Sequence, residues 1–119
     1  MKIAFTTAGK DINAAMDSRF GRAARFLIYD SENTTAQTID NHQNLNAAQG
    51  AGIQAAETVV RSGAQALVTG HCGPKAFRVL AAAGVAVYTT NAATIAEALA
   101  QFQAGTLPRA ESADVEGHW

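Results

Sequence analysis

The sequence contains a single cysteine, no long hydrophobic run and no large excess of charge of one sign. One cysteine cannot form a disulfide within the chain, which fits a reducing, cytoplasmic setting. No apolar run approaches the roughly 18 residues of a membrane span, and the first five residues lack the apolar core of a signal peptide. The formal net charge of −1 argues against nucleic-acid binding through bulk charge. We therefore expect neither a membrane nor a nucleic acid as a partner.

Familiar catalytic motifs are also missing. The sequence has no Gly-x-Ser-x-Gly turn, no Cys-x-x-Cys pair, no Walker lysine motif and no dinucleotide fingerprint. Its first predicted strand, residues 2–7, carries no carboxylate, so the paired strand acids of a metal-dependent nuclease are absent. Because the chain is nearly neutral, an anion site would have to come from a local arrangement of basic residues.

Apolar segments and glycines predict one α/β domain. Hydrophobic residues make up 48% of the 119 residues and charged residues 16%, as in an ordinary globular protein with a single core. The pattern predicts a hairpin turn at 31–33 between two of five strands, which span residues 2–7, 26–30, 34–39, 66–69 and 85–88. Strands and helices alternate in the second half, so its strands should be parallel and the whole sheet mixed.

Three helices are predicted, beginning near residues 52, 74 and 94. Each is followed by a glycine suited to a left-handed C-cap, namely Gly63, Gly84 and Gly105. Their expected apolar faces are Ile53, Ala56 and Val60, then Phe77, Leu80 and Ala81, then Ile95, Leu99 and Phe102. Residues 107–119 show no periodicity, so we expect a domain over 1–106 followed by a flexible C-terminal tail.

The loop between the fourth strand and the second helix concentrates residues that can carry chemistry. It reads Gly70, His71, Cys72, Gly73, Pro74, Lys75. Ligands of alternating α/β sheets bind where the carboxyl ends of strands meet the amino ends of helices. A helix that starts at Pro74 would present N–H groups and partial positive charge to an anion, and Lys75 would add a full charge. Taken alone, the glycines and the proline are also ordinary turn residues.

His71 and Cys72 make this loop a candidate metal or cofactor site. A cysteine at a helix amino end beside a lysine is expected to have thiolate character, and thiolate and imidazole ligands bind copper, iron or zinc. The alternatives are a small buried thiol and a hydrogen-bonded loop histidine. Even with His42 as a third ligand, a four-ligand zinc site is incomplete. A preassembled anionic cluster with its own inorganic ligands fits so sparse a set.

Basic residues cluster before the second strand, at Arg19, Arg22 and Arg25. Arginines spaced by three usually form a solvated face. If the 19–22 turn lies beside the 70–75 loop, Arg19 and Arg22 would form a basic rim around an anion. The amide-rich segment 40–51, which contains His42, would form a third wall of this anion pocket, beside the 70–75 loop and the 19–22 turn. A long polar loop in a compact domain is often functional.

A series of short segments occurs in a characteristic order, namely Asp17-Ser18-Arg19-Phe20-Gly21-Arg22-Ala23, Phe26, Tyr29-Asp30, Asn41 to Asn46, Gly50-Ala51-Gly52-Ile53 followed by Ala55-Ala56, Thr69 to Ala76, and Gly84-Val85-Ala86-Val87-Tyr88. Together these segments resemble the dinitrogenase iron-molybdenum cofactor biosynthesis family, from about residue 2 to 107. The resemblance implies a ribonuclease H-like, three-layer α/β/α fold with a five-stranded mixed sheet and no nuclease activity.

The same resemblance implies non-covalent binding of a metal–sulfur cluster. The cluster would be an anionic molybdenum–copper sulfide or an iron-molybdenum cofactor type cluster, and His71 fits the position of a loop histidine that nitrogenase-branch members use. Cys72 is less typical of the family. The implied cofactor-binding residues are Ser18, Arg19, Arg22, His42, Gly70, His71, Cys72, Gly73, Pro74 and Lys75.

Three functional hypotheses follow. The first is a carrier, not an enzyme, that binds an anionic metal–sulfur cluster, with His71, Cys72 and His42 as candidate metal ligands. The second is a redox or transferase enzyme with Cys72 as nucleophile and His71 as base. The third is a partner-binding module of an iron–sulfur or cell-division complex, such as a complex of iron–sulfur ATPases, which would contact residues 40–51.

Overall fold

The computed structural model describes residues 1–41 and 51–110. The strands are β1 (Lys2–Thr7), β2 (Arg25–Asp30), β3 (Thr35–Asp40), β4 (Ala66–Thr69) and β5 (Ala86–Thr89), and the helices are α1 (Ala51–Arg61), α2 (Pro74–Ala82) and α3 (Ile95–Gln103). The strands form one sheet in the order β3-β2-β1-β4-β5. β1, β4 and β5 run parallel, whereas β2 pairs antiparallel with both β1 and β3. The predicted five-stranded mixed sheet is confirmed, and its order is consistent with a ribonuclease H-like architecture.

The sheet lies between two helical layers. Side chains of successive strand residues point to opposite faces. On one face Ala4, Ile28 and Leu67 pack with residues of α1 and α2, such as Val59 and Leu80. The opposite face packs against α3, through the buried residues Ile3, Phe5, Leu27, Val68, Ile95 and Leu99. The three-layer α/β/α arrangement therefore places α1 and α2 on one side, the α1/α2 face, and α3 alone on the other, the α3 face.

The buried side of α1 is rotated about the helix axis from the predicted face and is richer in small residues. Ala55, Ala56 and Val59 are buried, whereas Ile53 and Val60 are only half-buried. Small side chains on this face let the helix lie close to its neighbours, and Ile53 and Val60, seven residues apart, lie together at one edge of it.

In α2 the predicted face is shifted in the same way. Ala76 and Leu80 are buried and Phe77 is half-buried, but Ala81 is exposed, so its predicted inward position is wrong. The start of α3 follows the prediction, because Thr94 caps it by accepting a hydrogen bond at 3.2 Å from the N–H of Glu97.

The carboxyl ends of β1, β4 and β5 lie together at one end of the sheet, here called the carboxyl end. Because β2 and β3 run antiparallel to each other and β2 runs antiparallel to β1, Arg25 at the start of β2 and Asp40 at the end of β3 also lie there. α2 begins at this end, directly after β4. The topology thus gathers the loops after several strands into one region.

Beyond α3 the chain returns along the outer edge of β5. Thr89 donates its N–H to the carbonyl of Pro108 at 3.2 Å, and Ala110 donates to the carbonyl of Val87 at 2.8 Å. Residues 107–110 of the predicted tail therefore lie against the sheet, while residues 111–119 fall outside the described residues. No helix in the described part of the chain has the length and apolar character needed to cross a membrane.

Candidate binding site at the carboxyl end of the sheet

Residues 18–20 lie directly against the loop that follows β4. His71 donates its N–H to the carbonyl of Ser18 at 2.7 Å, and Phe20 donates to the carbonyl of His71 at 3.2 Å, so Arg19 and His71 form a short parallel bridge. A Cβ atom added to Gly70 would lie 2.7 Å from both the Cα and the carbonyl oxygen of Ser18. This close approach requires glycine at position 70, and it brings the 18–20 segment and the β4–α2 loop together.

Two buried threonines anchor this pair of segments to the sheet. Thr6, the next-to-last residue of β1, and Thr69 at the end of β4 are fully buried, and their hydroxyl oxygens are 3.0 Å apart. The Thr6 hydroxyl also donates to the carbonyl of Asp17, and the N–H of Asp17 donates to the carbonyl of Thr6 at 2.9 Å. Buried polar groups are costly unless hydrogen-bonded, so this network fixes residue 17 and the chain that follows it.

The charge of Arg19 is already opposed within its own segment. The Nε atom of Arg19 is 3.6 Å from Oδ1 of Asp17, and the same oxygen accepts the N–H of Arg19 at 2.9 Å. The Arg19 side chain is 51% exposed, and an ion pair so open to solvent is weak. Arg19 therefore contributes less positive potential to the predicted rim than an arginine without a neighbouring carboxylate.

The amino end of α2 carries positive character that its own first turn does not offset. Gly73 is its N-cap and provides no side-chain cap, Pro74 opens the helix, and the first turn contains no acidic residue. Lys75 in that turn is exposed. α3 differs, because Glu97 lies in its first turn and Thr94 caps it. Anions are stabilised at helix amino ends, so the start of α2 can receive one.

Cys72 lies in the hydrophobic core instead of at the surface. Its relative exposure is 2%, and it belongs to the cluster on the α1/α2 face that contains Phe20, Ala76 and Leu80. A thiol in such surroundings behaves as a small hydrophobic group. The structure thus favours the buried-thiol interpretation over an exposed ligand or nucleophile, because the chain turns this side chain under the loop.

Two further predicted site residues differ in exposure. Arg22 is half-buried and His71 is exposed. His42, the third candidate metal ligand, lies outside the described residues. Within residues 1–41 and 51–110, no three His, Cys, Asp or Glu side chains are grouped closely enough to hold a metal ion.

A cleft of about 610 Å³ opens at the carboxyl end on the α3 face. Three of the predicted residues, Ser18, Gly70 and His71, line it, and the rest of its lining comes from residues 89–91, Gln101 and residues 106–108. The second group was missed from the sequence. Residues 89–91 follow β5, which runs parallel to β4, so the rule that singled out the 70–75 loop also applies to them. No pattern indicated that residues 106–108 return to this cleft.

Comparison with known proteins decides the family. The profile described as dinitrogenase iron-molybdenum cofactor matches residues 1–105. The chain belongs to this family. The family predicted from the sequence motifs is therefore confirmed, and membership associates the chain with the binding of a metal cofactor cluster more than with catalysis.

Individual relatives agree with this assignment. The chain is 38% identical to the orange protein of Desulfovibrio gigas, whose apo structure matches with a TM-score of 0.92 over 96% of each chain. A Thermotoga protein of the DUF35 family is 34% identical, with a TM-score of 0.78 over 89% of this chain and 90% of that one. An uncharacterized protein of Methanocaldococcus jannaschii is 30% identical over 101 residues, which cover 83% of this chain and 86% of the relative.

Proposed function

We propose that this protein binds and carries an anionic metal–sulfur cluster as cargo, and that it is a carrier and not an enzyme. One observation carries the proposal. In a member of the iron-molybdenum cofactor family, the β4–α2 loop is joined by main-chain hydrogen bonds to residues 18–20, beside a helix amino end without an acidic residue or a side-chain cap. The carboxyl end of the sheet is thus preorganised around an anion-compatible surface.

The charges at this end support an anionic cargo. An anion at a helix amino end gains about 0.3–1 kcal/mol when it is exposed, so α2 alone would give weak binding. Lys75 in the first turn of α2 is exposed and adds positive charge at this end of the sheet, whereas the charge of Arg19 is partly offset by Asp17. Several modest contributions would therefore combine to hold a multiply charged cluster.

The donor atoms support a cluster that brings its own ligands. His71 is exposed on the loop, whereas Cys72 is buried. A structural zinc ion normally requires four protein ligands, and the described residues show no group of three His, Cys, Asp or Glu side chains that could hold a metal ion. A preassembled cluster with sulfide ligands needs hydrogen bonds and positive charge more than metal–protein bonds. We propose molybdenum–copper sulfide as the first candidate and an iron-molybdenum cofactor type cluster as the second.

Reconstitution tests this function. Apoprotein is mixed with tetrathiomolybdate and copper(I), desalted, and examined for a charge-transfer absorption band and for co-eluting molybdenum and copper. We expect both metals to be retained in a fixed ratio to protein, with urea-unfolded protein retaining neither. Colour and metal that pass entirely into the small-molecule fraction would rule out this cargo, and the same protocol with an iron-molybdenum cofactor type cluster would then test the second candidate.

Lys75 and Arg78 offer a matched pair of variants, because both are exposed cations on α2 but only Lys75 lies in its first turn. Lys75→Ala is expected to weaken binding of the cluster about two- to fivefold at low salt, which corresponds to roughly 0.4–1 kcal/mol. Arg78→Ala should leave the affinity unchanged. Equal effects of the two substitutions would mean that only the overall charge of the protein matters.

The other two functional hypotheses receive less support. A cysteine-based enzyme requires an accessible nucleophile, and Cys72 is 2% exposed. A complex with iron–sulfur ATPases stays a prediction, since most of the segment 40–51 proposed to contact it lies outside the described residues.

A further inference from the structure

The cleft on the α3 face has the size of a small-molecule site. Its volume of about 610 Å³ lies within the range of about 300–1,000 Å³ that is typical of ligand pockets. Its lining comes from two groups of residues, the first being Ser18, Gly70 and His71 and the second residues 89–91, Gln101 of α3 and residues 106–108. A single tetrahedral oxoanion would touch only a small part of this lining, whereas a polynuclear cluster is large enough to contact residues of both groups.

The side-chain amide of Gln101 is oriented by a hydrogen-bond network. The hydroxyl of Thr90 accepts the N–H of Ala92 at 3.0 Å and donates to Oε1 of Gln101 at 2.7 Å. The carbonyl end of the Gln101 amide is therefore engaged, and its Nε2 group has no acceptor among the described residues. Two N–H donors of this side chain can thus serve a ligand in the cleft.

Three further polar side chains line the cleft and make no hydrogen bond to any described residue. They are the hydroxyls of Ser18 and Thr89 and the amide of Asn91. Among residues 1–41 and 51–110, no carboxylate lines the cleft, and His71 is the one titratable residue in its lining. Hydroxyl and amide groups can donate hydrogen bonds to an anion, whereas an ionised carboxylate can only accept and would repel it. The described part of the lining is therefore rich in side-chain donors, and none of its side chains is a carboxylate.

We propose that the cluster is held in this cleft, on the α3 face, through hydrogen bonds from Ser18, Thr89, Asn91 and Gln101 to its sulfide surface. This inference rests on the proposed function, and it states where the cluster binds and which groups recognise it. The exposed His71 lies beside the bound cluster, and the charge at the amino end of α2 acts on it from the other side of the β4–α2 loop. Neutral donors, not metal–protein bonds, then select a large, weakly hydrated anion.

A triple variant, Ser18→Ala with Thr89→Val and Asn91→Ala, tests the proposal. Each substitution removes a donor while the main-chain bond from His71 to residue 18 is retained. Titration of wild type and variant with tetrathiomolybdate and copper(I) is expected to show at least about tenfold weaker binding by the variant, because hydrogen bonds to charged groups are the stronger ones. Gln101→Leu alone is expected to weaken binding about threefold or more.

A matched control changes the same three residue types at the opposite end of the sheet, as Ser31→Ala with Asn33→Ala and Thr35→Val. These residues lie in and after the β2–β3 turn, so the control should bind the cluster as wild type does. Thermal unfolding monitored by circular dichroism checks that both triple variants are folded. In ¹⁵N-labelled wild type, the side-chain amide signals of Asn91 and Gln101 should shift on addition of the cluster.

The outcomes separate the two proposals. In one outcome wild type retains the cluster, but the Ser18–Thr89–Asn91 variant binds it as tightly as the control does and the two amide signals do not shift. The cleft is then not the site, but the carrier function stands. If wild type retains no cluster, the carrier function and the cleft assignment fall together. Weaker binding by the cleft variant, with an unchanged control and shifted amide signals, supports both.

Discussion

Replacing Gly70 with alanine should separate the two segments that form the candidate site. The new Cβ would lie 2.7 Å from the Cα and 2.7 Å from the carbonyl oxygen of Ser18. Both atoms belong to the backbone and cannot rotate away, so residues 18–20 would have to move. That movement would break or stretch the bonds from His71 N–H to Ser18 and from Phe20 N–H to His71, which are 2.7 and 3.2 Å long.

The expected loss of stability can be worked out from these contacts. Two main-chain hydrogen bonds contribute about 0.5–1.5 kcal/mol each, and the overpacking of a tight site costs roughly 1–3 kcal/mol. Gly70→Ala should therefore lower the free energy of unfolding by about 2–6 kcal/mol, a large share of the roughly 5–15 kcal/mol typical of a domain. Urea unfolding followed by circular dichroism measures this change directly.

Gly84→Ala is the matched control, because nothing lies within 4 Å of its added Cβ and its φ of +79° introduces only backbone strain. That strain should cost about 1–2 kcal/mol without moving residues 18–20. In Gly70→Ala the amide protons of Phe20 and His71 should also exchange faster with solvent, and binding of the cluster should weaken. A Gly70→Ala protein as stable as Gly84→Ala, with both amides still protected, would refute the reasoning.

Three other predictions follow from the described contacts. Because Cys72 is buried, it should react with a bulky thiol reagent far faster in urea than in the native state, and fast labelling of the native protein would contradict this. The Cys72→Ala variant should still bind the cluster. Asp17→Asn keeps the hydrogen bond from the Arg19 N–H but removes the negative charge that opposes Arg19. Binding of the anionic cluster should therefore tighten about two- to fivefold at low salt and change little at high salt. Hydrogen bonds from the N–H of Glu32 and from the side chain of Asn33 hold the pKa of Asp30 below its ordinary value of 3.8. The stability that these bonds give to the folded protein should be complete above pH 3.8 and disappear as the pH falls through the lowered pKa. An NMR titration of the Asp30 carboxyl with a midpoint at or above the ordinary value would contradict this assignment.

Much of the fold could be predicted because its signals are local. The helix-ending glycines Gly63, Gly84 and Gly105 all have positive φ, and the pattern of Thr94 and Glu97 correctly marked the start of α3. Strand positions followed from short apolar and β-branched runs. These features depend on neighbouring residues alone, so the sequence order was enough to place them.

The candidate site was less predictable because its walls come from distant segments. The 70–75 loop could be recognised from topology, but the burial of Cys72 depends on how that loop turns over the sheet. Gln101 looks like an ordinary exposed helix residue until Thr90 is seen to orient it. Only the pairing of Arg19 with Asp17 had a local signal that was overlooked, since an aspartate commonly accepts the N–H two residues later.

The return of residues 107–110 along β5 also makes the two outer strands of the sheet unequal. The backbone of β5 is paired with this segment through Thr89 and Ala110, so it offers few open N–H and C=O groups to another chain. β3 is the other outer strand, and five of its six residues are exposed. Unprotected edge strands are where sheets of separate molecules join. Association of two copies through their sheets would therefore start at β3, at the far side of the sheet from the cleft, and would leave the cleft open.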